Sequence, residues 1–123
     1  MELTKRIIGA AMAVHRALGP GLDEKTYENS LCIEFAELSL PFTQQEHFPV
    51  FYKKKPVGRL ITDLIVDGKV IIETKVASSI NDVHLAQVLS YLSVTGIQIG
   101  LIINFKTASL TFKRIANIYL QNP

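Results

Sequence analysis

The sequence predicts an α/β domain: a central β-sheet with α-helices on both of its faces. Three observations predict it. Apolar residues recur at helical spacing in three stretches: residues 3–18, about 23–39, and 80–95. Aliphatic runs at 57–66 and 69–77 flank Asp67 and Gly68, and IQIGLIIN at 97–104 is apolar almost throughout, as suits a strand buried on both faces. The resulting order is ααβββαβ plus a mixed tail, and a sheet covered by helices is the layered solution for such a chain.

Each element follows from local chemistry. In residues 3–18, Leu3, Ile7, Ala11, Val14 and Leu18 form one stripe of an amphipathic helix. Gly19, Pro20 and Gly21 stop it. Asp23 can cap a second helix that runs to about Ser39, with Tyr27, Leu31, Phe35 and Leu38 inward. Pro41 starts an extended segment in which Phe48, Val50 and Tyr52 share a face, and Pro49 suits an edge strand or a bulge. Lys54, Lys55 and Pro56 turn the chain into the apolar hairpin. The helix at 80–95 presents Leu85, Val88, Leu89 and Leu92 to the core and ends at Gly96. Residues 109–119 read as a strand, or as a strand followed by a short helix.

A chain of 123 residues is expected to be a single domain spanning 1–123. With 48% hydrophobic and 20% charged residues, disorder is not expected. The net charge of +2 neither demands nor excludes nucleic acid, because a local basic face matters more than the sum. Lys53, Lys54, Lys55 and Arg59 form one basic cluster, and Lys106, Lys113 and Arg114 another; either alone reads as solvated strand ends and turns. The one cysteine, Cys32, leaves no intrachain disulfide. The N-terminal stretch does not resemble a signal peptide, and no apolar run reaches ~18 residues, so no membrane association and a reducing, cytoplasmic setting are expected.

The chemistry concentrates in ITDLIVDGKVIIETKVA, which places Asp63, Glu73, Thr74 and Lys75 among aliphatic strand residues. Charges on such strands are costly unless paired or bound to metal. Register decides whether the two acids meet. A two-residue turn at Asp67 and Gly68 sends Asp63 and Glu73 to opposite faces. A three-residue loop of Val66, Asp67 and Gly68, with Gly68 left-handed, sets Ile65 against Lys69 and Asp63 against Ile71. Asp63, Glu73 and Lys75 then share a face, with Asp63 diagonal to Glu73, and one cation can bridge the two carboxylates. The alternative is a structural salt bridge from Lys75 to either acid.

Glu24 lies three residues before Tyr27 and seven before Leu31, on the core-facing side of its helix; the alternative is a first-turn acid favoured by the helix dipole. His84, Gln87 and Tyr91 form a polar stripe beside the leucine stripe, read either as flanking the acids or as the boundary of the helix. His15 and His47 read as structural or surface residues. The sequence contains no phosphate loop, dinucleotide fingerprint, zinc-spaced Cys/His cluster or hydrolase elbow.

Gly21, Glu24 and Tyr27 spell GxxExxY, and VHRALGPG, HLAQVLSYL and GLIINF flank that motif. Over almost its whole length the chain resembles the GxxExxY protein family, which is assigned to the PD-(D/E)xK nuclease-like superfamily. The resemblance implies a restriction-endonuclease-like core, with Asp63, Glu73 and Lys75 as signature residues and Glu24 as the helical acid. Gln87 and Tyr91 resemble the Q-x-x-x-Y motif of the superfamily's recombination-type exonucleases. Thr62 stands where the superfamily name has proline, and Thr74 replaces the usual aliphatic residue between Glu and Lys.

The expected function is therefore a Mg²⁺-dependent nuclease, with Mn²⁺ as a substitute metal, acting on DNA or RNA with DNA as the first choice. Asp63, Glu73 and the Thr74 carbonyl would hold the metal with help from Glu24. Lys75, Gln87 and Tyr91 would complete the catalytic set. A homodimer is compatible with this reading. The rival readings are a catalytically inactive nucleic-acid-binding or regulatory module that keeps the nuclease fold, and a protein-interaction subunit.

Overall fold

A computed structural model of the chain describes residues 2–119. It contains α1 (Glu2–Leu18), α2 (Glu24–Glu37), β1 (Phe42–Tyr52), β2 (Lys55–Val66), β3 (Val70–Lys75), α3 (Asp82–Thr95), β4 (Ile99–Asn104) and β5 (Thr111–Ala116). The five strands form one mixed sheet in the order β1-β2-β3-β4-β5. Only β3 and β4 run parallel, and α3 makes the crossover that such a pair needs. This is the helix-flanked mixed sheet expected of a restriction-endonuclease-like core. No helix among the described residues is long and apolar enough to cross a membrane.

Strand periodicity divides the core in two. Leu64, Val66, Val70, Ile72, Leu101 and Ile103 pack with Ile7, Ala11 and Val14 of α1 and with Tyr27, Leu31 and Phe35 of α2. The alternate residues Ile65, Ile71 and Ile102 pack on the other face against Val88 and Leu92 of α3. Tyr27 stacks on Phe105 with ring centroids 4.4 Å apart. Its hydroxyl donates to the Gly19 carbonyl and accepts from Leu22 N at 3.0 Å, so the tyrosine of the GxxExxY motif fixes the loop between the helices. Asp23 caps α2 as expected, accepting from Thr26 N.

Gly100 lets α3 approach the sheet. A Cβ there would collide with Val88 Cγ1, which is fully buried. Gly100→Ala is therefore expected to destabilise the fold by about 1–3 kcal/mol, the usual cost of overpacking, as measured by urea denaturation. Because Val88 adjoins Gln87, that variant should also displace the polar stripe of α3.

Several local expectations require correction. The turn between β1 and β2 is made by Lys53 and Lys54, at φ 49° and 66°, rather than by Lys54, Lys55 and Pro56. Leu38 is the exposed C-cap of α2 rather than a core residue, because the helix ends before turning it inward. Tyr52 is exposed, so the apolar face of β1 stops at Val50. A register shift between Val50 and Phe51 and the edge position of β1 agree with the reading of Pro49. After β5 the described chain ends in a turn at Ile118 and Tyr119, with no helix there.

Candidate functional site

The loop that joins β2 to β3 sets the geometry of the acids. Val66 pairs with Val70 and Ile65 with Ile71, which leaves Asp67, Gly68 and Lys69 as the loop. Asp67 and Gly68 are left-handed at φ 53° and 63°, and Lys69 N donates to the Val66 carbonyl at 2.9 Å. The loop thus has the expected odd length but is shifted by one residue. Both choices keep the same parity. Continued without a break, the observed register sets Asp63 across from Glu73 rather than across from Ile71.

Regular pairing stops at Leu64 and Ile72, one step before the acids. Asp63 replaces the missing ladder bonds with its side chain. Its Oδ2 accepts from Thr74 N at 3.0 Å and from Thr74 Oγ1 at 3.1 Å. The hydroxyl of Thr74 is a second donor that an aliphatic residue at this position lacks.

Glu73 is only 4% exposed, and its Oε1 is buried with no hydrogen-bond partner. Burial first, and then the negative charge of Asp63, push its carboxyl up to about 8, against an opposing pull from Lys75. Burial also raises the Asp63 carboxyl, and the two Thr74 bonds oppose it. The pair is an electrostatically unsatisfied site that a cation would relieve. Among the described residues, no group of three or more His, Cys, Asp or Glu side chains could hold a metal ion. Two carboxylates, one with a buried free oxygen, suit a hard cation that keeps several waters better than one that needs a full protein cage.

Lys75 forms no salt bridge with Asp63 or Glu73 among the described residues. It donates instead to Gln87 Oε1 at 3.3 Å, and Gln87 Nε2 donates to Tyr91 Oη at 3.1 Å. The lysine is thus aimed by α3 rather than consumed by the acids. Burial, and then the charge of Glu73, raise the Tyr91 hydroxyl, so this ring lies in the field of the carboxylate. His84 is taken out of the stripe. Its Nδ1 accepts from Asn81 N in the capping box of α3.

Glu24 differs from its expected orientation. It is exposed in the first turn of α2, where the helix end projects past the core. Its Oε1 still meets Val76 N at 3.4 Å, next to Lys75, and its charge is a minor contributor to raising both acids. One residue escaped the sequence reading. Glu28 is 3% exposed and gathers Gln44 Nε2 at 2.6 Å, Gln45 Nε2 at 3.1 Å and Lys25 Nζ at 3.0 Å, and its charge also raises Asp63. The signal was legible: Glu24 and Glu28 stand four apart, a like-charge spacing that weakens a helix. Gln45 sits at φ 53°, flanked by the pairs of Gln44 with Leu64 and Glu46 with Thr62, level with Asp63.

Comparison with known proteins adds one match. The family model of the PD-(D/E)XK nuclease superfamily covers residues 1–115. No curated protein matches the chain significantly.

Proposed function

The chain belongs to the PD-(D/E)XK nuclease superfamily, and from that premise we propose that it is a Mg²⁺-dependent nuclease of the GxxExxY type that hydrolyses phosphodiester bonds, with DNA preferred to RNA. Superfamily membership implies a nucleic-acid substrate and, in general, a divalent metal. The observation that carries the proposal is the buried, unpartnered Oε1 of Glu73 beside Asp63. A folded protein tolerates such an atom poorly, and a functional cation gives it a reason.

In this reading Asp63 and Glu73 would hold the metal with the Thr74 carbonyl, and Glu24, which meets Val76 N at the rim, would have to turn toward the pair to join them. A divalent cation held there would acidify a water and neutralise phosphate charge. Thr74 fixes the Asp63 carboxylate through its amide and hydroxyl. Lys75 stabilises negative charge that develops on the phosphate, and Gln87 and Tyr91 set the direction of its ammonium. Magnesium fits the pair because it requires few protein ligands. Residues 1–123 act as one domain in the cytoplasm, and a homodimer would allow two strands to be cut together.

The test is cleavage by the purified protein, with Mg²⁺ or Mn²⁺, of labelled single- and double-stranded DNA and RNA. Wild type is expected to cleave, with DNA before RNA, and Glu73→Ala is expected to be inert. If wild type binds nucleic acid but cleaves no more than Glu73→Ala, the chain is a binding module that retains the nuclease fold.

A further inference from the structure

The ribbon of β1 and β2 outgrows the sheet. The two strands pair from Phe42 with Val66 out to Tyr52 with Lys55, but β2 pairs with β3 only through Leu64, Ile65 and Val66. Every residue from Phe51 to Arg59 is exposed. A bare two-stranded hairpin gains little stability from itself, and this one displays Phe51 at 59%, Tyr52 at 64% and Val57 at 63% exposure. The same segment carries Lys53, Lys54, Lys55 and Arg59, none of which forms a salt bridge among the described residues. Lys53 Nζ stands 5.4 Å from the centroid of the Tyr52 ring, so a cation and a stacking surface occur together.

We propose that this hairpin is an arm that grips single-stranded nucleic acid and leads it to the acids. The proposal rests on the nuclease reading and names its substrate form. Unpaired cations match a phosphate chain, and exposed rings match unstacked bases, the combination by which single strands are bound without sequence readout. Inside a duplex the bases stack on one another, so away from its two ends it offers those rings no π-face. The arm is anchored beside the site. Phe48 packs in the cluster that holds Tyr91 and Leu85, and β2 runs from the lysine turn directly to Asp63. At the rise of an extended strand the turn lies ~25–30 Å from Asp63. One linear polyanion can span that distance, whereas a small ligand cannot.

The test measures fluorescence anisotropy of a labelled single strand and of the matching blunt duplex in EDTA, where no cleavage occurs, with melting temperature and oligomeric state followed in parallel. Phe51→Ala with Tyr52→Ala is expected to weaken single-strand binding about tenfold to a hundredfold, leave duplex binding and melting unchanged, and keep the oligomeric state of wild type. Replacing Lys53, Lys54 and Lys55 by Gln should flatten the salt dependence of single-strand binding by ~0.7 in log–log slope for each phosphate no longer neutralised. Equal losses on single strand and duplex would place the ribbon in a groove and overturn the proposal. Unchanged binding would also overturn it while leaving the nuclease reading intact, and a change of oligomeric state would make the hairpin an interface between copies. If wild type binds neither nucleic acid, the arm and the nuclease reading fail together.

Discussion

Lys75→Ala is expected to lower cleavage by ~10²–10³-fold while changing metal affinity far less than loss of either acid. The split arises because an ammonium is not a metal ligand. Among the described residues Lys75 donates to Gln87 and forms no salt bridge with either acid, so its removal breaks no ion pair with them and acts on Glu73 only through the lost charge. Asp63→Ala and Glu73→Ala should instead lose metal binding and turnover together, because each removes a ligand. Calorimetric metal titration beside single-turnover cleavage separates the two classes. Equal loss of metal affinity in all three variants would mean that Lys75 only supports the local structure.

Glu73→Gln is expected to stabilise the metal-free protein at alkaline pH. The Glu73 carboxyl lies at about 8 in the folded chain against 4.5 for the ordinary residue. Below pH 4.5 both folded and unfolded states are protonated and stability is intact. Between 4.5 and 8 the unfolded chain releases a proton that the folded chain retains, so stability falls as pH rises through this window. At about 1.4 kcal/mol per unit of pKa difference, the loss at pH 8 is on the order of a few kcal/mol. The Gln variant carries no such proton, so its stability in EDTA should stay comparatively flat from pH 5 to 8 and exceed that of wild type at the upper end. Saturating Mg²⁺ should narrow the gap by binding the folded wild type, worth ~2.7 kcal/mol at a hundredfold excess over Kd. Urea denaturation across pH, with and without metal, measures both effects.

The parts of the fold that depend on periodicity were legible in the sequence. The odd loop at Gly68 placed Asp63 and Glu73 on one face by period-two alternation, and the observed register keeps that parity. The exact register was not legible, because loops at 66–68 and 67–69 are both odd and keep the same facing. Glu24 was misread because helical spacing gives direction around an axis and says little about the end of the helix, where a core-facing azimuth points past the core. Glu28 was missed because the reading followed the apolar stripe of α2 and ignored the acid beside Tyr27. The turn at Lys53 and Lys54 was displaced because left-handed lysines are uncommon and carry no local signature. The link from Lys75 through Gln87 to Tyr91 joins β3 to α3, and only the folded packing determines it.

Glu73 carries a buried, unpartnered Oε1 beside Asp63. The most direct test of a cation site there is a carbon-13 NMR titration of the Glu73 side-chain carboxyl, first in EDTA and then in saturating Mg²⁺. In EDTA the carboxyl should titrate near pH 8, because it is buried beside Asp63. In Mg²⁺ it should be ionised well below neutrality, because cation binding displaces its proton. A carboxyl that titrates in the ordinary glutamate range without metal, or one that is unmoved by both Mg²⁺ and Mn²⁺, would contradict the account.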